Sequence, residues 1–141
     1  MSEQTSSGVM AGKRGLIMGV ANDRSIGWGI ASKLAEHGAE LAFTFQGEAL
    51  QKRVIPLAES VGSNLVLPCD VTDEASVDAV FDRLKSEWGE LDFVLHAIAY
   101  SDKEELKGGY VDTSRDNFQR TMDISVYSFT EITRKATAMM K

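Results

Sequence analysis

Cysteine occurs once in the chain, at Cys69, so no intramolecular disulfide framework can form and a multi-cysteine metal site is excluded. A reducing compartment, the cytoplasm, is the expectation, and no metal is expected. Long apolar runs are missing too: none approaches the roughly 18 residues that a membrane span needs. Positive charge is in deficit, with 15 Lys and Arg against 21 Asp and Glu. The basic residues are scattered through predicted helices, so the electrostatic footprint of a nucleic-acid binder is absent. Residues 1–12 are polar and small and lack a charged start ahead of an apolar segment, which rules out a secretory signal and predicts a flexible N-terminal tail. The remainder, 13–141, suits one globular domain with a core of its own: 43% of the chain is hydrophobic and 26% charged.

The informative stretch is Leu16 to Gly29, Leu-Ile-Met-Gly-Val-Ala-Asn-Asp-Arg-Ser-Ile-Gly-Trp-Gly. An apolar run stops at Gly19 and reopens as a glycine-spaced helix start, whose free N–H groups and positive dipole end suit a phosphate. By itself this turn is a weak signal, because glycine at 19 or 29 can also serve tight packing of helix on strand. Gly19, Ser25 and Gly29 form G-x5-S-x3-G, with a longer loop than the common G-x-G-x-x-G.

Apolar runs at Gly15–Val20, 41–45, 64–70 and 92–99 read as strands buried on both faces. Helical spacing fills the intervals. The first helix spans about 27–37 and stops at Gly38; the second carries Pro56, which should kink or restart it; the third is capped by Thr72. After a polar loop from Tyr100 to Thr113, a last helix opened by Ser114 runs to the end, striped by Phe118, Met122, Phe129, Ile132 and Met139. The sum is β-α-β-α-β-α-β-α, an α/β Rossmann-type doubly wound parallel sheet in its first four βα units. Its expected strand order is 3-2-1-4, and it is incomplete at the C-terminus, where two or three more strands belong.

Ligand-binding residues in such sheets lie at the carboxyl ends of strands. Gln46 ends strand two and can bond the adenosine ribose, Asp70 and Val71 end strand three and can address adenine, and Ala97-Ile98-Ala99 ends strand four beside a nicotinamide ribose. No basic fork follows Gln46, and Glu48 would repel a 2′-phosphate. Lys52 and Arg53 read as solvated helix charges. NAD(H) is therefore expected over NADP(H).

These segments in series, Gly-Val-Ala-Asn-Asp-Arg-Ser-Ile-Gly-Trp-Gly, Glu-Leu-Ala-Phe-Thr-Phe-Gln, Cys-Asp-Val and His-Ala-Ile-Ala-Tyr, closely resemble bacterial NADH-dependent enoyl-acyl-carrier-protein reductases, a divergent branch of the short-chain dehydrogenase/reductases. The resemblance runs from about Lys13 to Lys141 and corresponds to the N-terminal half of a family member. It implies that Gly19, Ser25, Ile26, Gln46, Asp70, Val71 and Ile98 contact NADH and that Tyr100 and Ser101 face the substrate. It further implies a homotetramer acting in fatty-acid biosynthesis on enoyl groups held by acyl carrier protein. In the implied reaction, hydride reaches the β-carbon of a trans-2-enoyl thioester while a tyrosine stabilises the enolate and a lysine holds the cofactor ribose.

That Tyr-x6-Lys pair is expected beyond residue 141, so no catalytic residue is assigned within this chain and the chain alone is expected to be inactive. Two departures stand out: family members commonly carry glycine at the place of Ala99, and Ser125 takes the place of the asparagine that ordinary short-chain dehydrogenases use on helix four. Tyr100 and Lys107 reproduce the Tyr-x6-Lys offset but sit in a loop, not on one helix face. His96 reads as a core histidine in preference to a base, His37 as a helix-end residue, and Cys69 as an inert core thiol. A non-catalytic dinucleotide-binding fragment, or another short-chain dehydrogenase/reductase, is the alternative.

Overall fold

Leu16, Ile17 and Met18 are all fully shielded from solvent, and their side chains alternate between two separate cores. Leu16 and Met18 meet Val77, Val80, Phe81, Leu84, Ile132 and Ala136 on one face. Ile17 meets Ala31, Phe43, Val54 and Ala58 on the other. A period-2 strand without a polar position can be satisfied only by such double coverage. The computed structural model describes residues 8–141.

The elements are β1 (Arg14–Met18), α1 (Ile26–Glu36), β2 (Glu40–Phe45), α2 (Glu48–Ser60), β3 (Val66–Pro68), α3 (Glu74–Trp88), β4 (Phe93–His96), α4 (Arg115–Met122) and α5 (Ser128–Thr137). All strands pair in parallel in the order β3-β2-β1-β4, as the chain pattern predicts. Leu16 sits in register with Ala42 on one side and Val94 on the other.

Several local expectations need correction. The third and fourth strands are shorter than their apolar runs, at three and four residues. Only one further ladder bond follows each, Cys69 N–H to the Phe45 carbonyl and Ala97 N–H to the Met18 carbonyl, before the chain turns away to form the site. Pro56 does not restart α2. It faces solvent, so the carbonyl of Lys52, deprived of its helical donor, lies on the wet side of the helix. The cap of α3 is Asp73, whose carboxylate accepts the Ala75 N–H at 3.2 Å, while Thr72 turns its hydroxyl to Asp70.

The last helix is not one regular helix with one apolar stripe. A π turn at Asp123–Tyr127 joins α4 to α5, and two short 3-10 turns occupy the preceding loop. A π turn admits an extra residue, which rotates the following face by about 100° relative to the preceding one. Phe118, Met122 and Phe129 are 45%, 43% and 56% exposed, whereas Asn117, Ser128, Glu131, Ile132 and Ala136 are buried.

Residues 1–7 of the expected tail lie outside the described residues. Residues 8–12 form a turn packed on the end of α1, where Met10 N–H donates to the His37 carbonyl at 2.9 Å.

Candidate functional site

The turn after β1 is shaped by Gly19. Its φ is +104°, and a Cβ placed there would sit 2.0 Å from the Ala97 carbonyl oxygen, so neither conformation nor space admits a side chain. Gly29 is different: a Cβ there meets nothing within 4 Å, and helix packing does not require it. Ser25 is the N-cap of α1 but bonds backward, its oxygen accepting the N–H groups of Ala21 at 3.0 Å and Asn22 at 3.1 Å. Both lone pairs are then engaged and the hydroxyl proton remains to be donated. Together with the unclaimed N–H groups of the first helical turn, this suits an anionic oxygen.

Two adjoining cavities open over the carboxyl ends of the strands. The first, about 310 Å³, is lined by Gly19, Gln46, Asp70, Val71, Ile98 and Tyr100 among others. The second, about 690 Å³ and more open, takes in Ser25, Ile26 and Ile98. Gly19 and Ala97–Ala99 belong to both, so the methyl of Ala99 stands at their junction. Of the nine residues singled out from sequence, only Ser101 lines neither cavity; its hydroxyl accepts from Asn117 Nδ2 at 3.2 Å.

Asp70 is held in place before any ligand arrives. One carboxylate oxygen accepts the Thr72 N–H at 2.8 Å and hydroxyl at 2.6 Å, and the other accepts Gln46 Nε2 at 3.3 Å. The backbone of Asp70 is clasped by Ser76, which takes its N–H and donates to its carbonyl. The neighbouring Val71 N–H has no backbone or side-chain acceptor among the described residues. Thus the ends of β2 and β3 are tied together and present an amide, a carboxylate and a free N–H.

Tyr100 is fixed through its backbone: its N–H donates to Ser125 Oγ at 3.0 Å, and the same hydroxyl donates to its carbonyl at 3.3 Å. This is what the serine at the place of the dehydrogenase asparagine does. Lys107 pairs with Glu104 at 2.9 Å in the 3-10 region, so Tyr100 and Lys107 share no helix. Arg120 and Ile124 also line the first cavity and escaped the sequence reading. Their one signal is a helical offset of four residues, which carries no meaning until α4 is known to close over the strand ends.

His96 reaches Ser128 Oγ through Nε2 at 2.8 Å and meets the Phe129 ring edge-on. Ser128 gives its proton to the Ile124 carbonyl at 2.5 Å, so Nε2 of His96 is the donor. Burial pushes its pKa below the usual histidine range. Below about pH 6.5 the unfolded chain therefore binds a proton that the folded chain resists, and stability falls as pH drops through that range. We expect the urea midpoint to fall from pH 7 to pH 5 more steeply in the wild type than in His96→Gln; parallel curves would refute the assignment.

Cys69 lines the first cavity, but burial pushes its thiol up to about 11, which leaves little thiolate at neutral pH. Among the described residues no group of three His, Cys, Asp or Glu side chains is arranged to hold a metal ion, and no helix is long and apolar enough to cross a membrane.

Comparison with known proteins agrees with this geometry. The family model described as enoyl-(acyl carrier protein) reductase matches residues 19–141. Enoyl-acyl-carrier-protein reductase (NADH) 2 of Rhizobium meliloti is 66% identical over 95% of this chain and 50% of its own length. Among solved structures, FabI of Candidatus Liberibacter asiaticus superposes with a TM-score of 0.92 at 56% identity, over 94% of this chain and 51% of that one. The enoyl-acyl-carrier-protein reductase of Anaplasma phagocytophilum, solved in complex with NAD, gives 0.90 at 57% identity, over 94% and 50%. The chain spans about half the length of these relatives. A family match that begins at the very glycine around which the two cavities are built, and continues to Lys141, means that the chain belongs to the enoyl-(acyl carrier protein) reductase family.

Proposed function

We propose that residues 13–141 are a dinucleotide-binding unit that holds NADH for the reduction of trans-2-enoyl thioesters carried on acyl carrier protein, a step of fatty-acid biosynthesis. The observation that carries the proposal is the pair of cavities running along the carboxyl ends of all four parallel strands, with the glycine turn at their junction. The turn at Gly19 brings a pyrophosphate to the start of α1, where the Ser25 hydroxyl and the Ile26 end of the helix donate to it. Gln46 receives the adenosine ribose, Asp70 and Val71 the adenine, and Ile98 the nicotinamide ribose. NADH, when bound, supplies the hydride. Tyr100 stands at the mouth beside Ala99, and Ser101 contributes by tying the loop to α4.

Glu48 heads α2 just past Gln46, where a 2′-phosphate would meet like charge. NADH is therefore the favoured cofactor, which agrees with the printed name of the Rhizobium meliloti relative. The exposed apolar residues Phe118 and Met122 on α4 support burial against further protein, here assembly into a homotetramer. The cytoplasm is the compartment that fits a reduced, buried Cys69.

Two measurements test the reading. Titration followed by nicotinamide fluorescence is expected to show binding of NADH, with NADPH weaker by about tenfold or more, the effect of roughly 1.4 kcal/mol of phosphate repulsion. No reduction of crotonyl thioester by the 141-residue chain alone is expected, because the tyrosine and lysine that the reaction requires have no counterpart on a helix at this site. Turnover by the chain alone would overturn that assignment, and preferred binding of NADPH would overturn the cofactor. Oxidation of secondary alcohols would instead favour an ordinary short-chain dehydrogenase, a reading opposed by the commitment of Ser125 to the Tyr100 backbone. NADH binding with no activity under any complementation by the remaining half of a family member would mark a non-catalytic binding module.

A further inference from the structure

Among the described residues, one basic side chain lines the first cavity, and it comes from neither the strand ends nor the glycine turn. Arg120 lies on α4 one turn before Ile124, so the two project from one side of the helix and line the cavity together. Its guanidinium carbon stands 4.9 Å from the centroid of the Tyr100 ring, well within cation–π range. Among the described residues no carboxylate lies within ion-pair distance of it, unlike Arg14, Lys33, Arg83 and Lys135. The Tyr100 ring is itself a steady support, since both polar atoms of its backbone are held by Ser125. Arg120 remains exposed, which leaves open the part of the guanidinium that Tyr100 does not cover.

We propose that Arg120 is a cofactor-binding residue, whose guanidinium, backed by Tyr100, stacks on the adenine of the bound dinucleotide. The inference rests on the dinucleotide reading above. Three observations point to the base in preference to the phosphates. Arg120 shares its cavity with Gln46, Asp70 and Val71, the adenosine end, as well as with Gly19, Ile98 and Ala99, which line both cavities. Ser25 and Ile26, at the phosphate end, line only the other cavity. A guanidinium lying over one ring is weakly hydrated and can offer its open side to a second.

The test is NADH titration of the 141-residue chain in wild-type, Arg120→Ala and Arg120→Lys forms, at about 0.05 M and about 0.5 M salt, with reduced nicotinamide mononucleotide as the probe lacking adenine. Loss of the stack is expected to weaken NADH roughly fivefold in both variants, because lysine keeps the charge but not the plane. The factor should be the same at both salt concentrations, and the mononucleotide should be unaffected. Unchanged NADH affinity in Arg120→Ala overturns the proposal. So does full retention by lysine, a loss that disappears at high salt, or an equal loss for the mononucleotide, since each of these makes Arg120 a phosphate counter-charge or a bystander. A wild-type chain that does not bind NADH at all overturns the dinucleotide reading itself, and Arg120 with it. Thermal unfolding of the variants should coincide with the wild type, as expected for an exposed side chain.

Discussion

Gly19→Ala is expected to lower stability by roughly 2–6 kcal/mol and to abolish NADH binding. Two costs add. An alanine at φ +104° is strained, at about 1–3 kcal/mol, and its Cβ would sit 2.0 Å from the Ala97 carbonyl oxygen, so β1 and β4 must part or the turn must move. A typical domain holds only about 5–15 kcal/mol in all, so the variant stands near the limit of folding. Either movement also displaces the junction of the two cavities, which Gly19 and Ala97–Ala99 share. Gly29→Ala makes the matched control. Its Cβ enters open space within α1, and replacing glycine inside a helix is expected to raise stability by about 0.5–1 kcal/mol with NADH binding retained. Urea denaturation and NADH titration of the two variants decide the matter; similar effects at both glycines would contradict this account of the turn.

Asn117→Ala is expected to cost about 2–3 kcal/mol and to release the loop from Tyr100 to Thr113. Asn117 is buried, and its side chain spans the loop: Oδ1 accepts the Asp102 N–H at 3.0 Å, while Nδ2 donates to Ser101 Oγ and to Thr113 Oγ1, both at 3.2 Å. Truncation leaves a partly buried backbone N–H without an acceptor and removes the one group that ties the start of the loop to its end. Glu105, which grips the N–H and hydroxyl of Ser114, is a separate anchor, so the ends of α4 should survive. Trypsin cleavage at Lys103 and Lys107 is expected to accelerate by about tenfold or more, following the lower free energy of local opening. Asn117→Asp, which keeps the acceptor and loses both donors, should fall between. Unchanged cleavage rates in Asn117→Ala would show that the loop is held by other contacts.

The periodic segments were legible because each has a single way to bury its apolar residues. Leu16-Ile17-Met18 has no polar position and can only be a strand covered on both faces, and the spacing of Val77, Val80, Phe81 and Leu84 can only be one face of a helix. Right-handed crossovers then leave little choice of strand order. Candidate residues at strand ends were legible for the same reason, since a parallel sheet has one end at which its loops and helix N-termini converge. Where the reading failed, longer-range forces decided. Phe118, Met122 and Phe129 keep helical spacing, yet all three face outward, and the π turn at 123–127 interrupts the helix between Met122 and Phe129. Nothing local in Asp-Ile-Ser-Val-Tyr announces that turn; two of its constraints are tertiary, Ser125 on the Tyr100 backbone and Ser128 on His96.

Sequence alone, then, determined the parallel α/β sheet, the tight turn at Gly19 and which residues stand at the ends of β2, β3 and β4, because periodicity, glycine and strand polarity act within a few residues of one another. Only the tertiary structure decided which groups share a cavity: that Ser25 spends its lone pairs on its own loop, that Ser101 turns away to Asn117, and that Arg120 comes to rest on Tyr100. Those outcomes depend on where α4 lies over the sheet, and that position is set by packing between elements far apart in the chain.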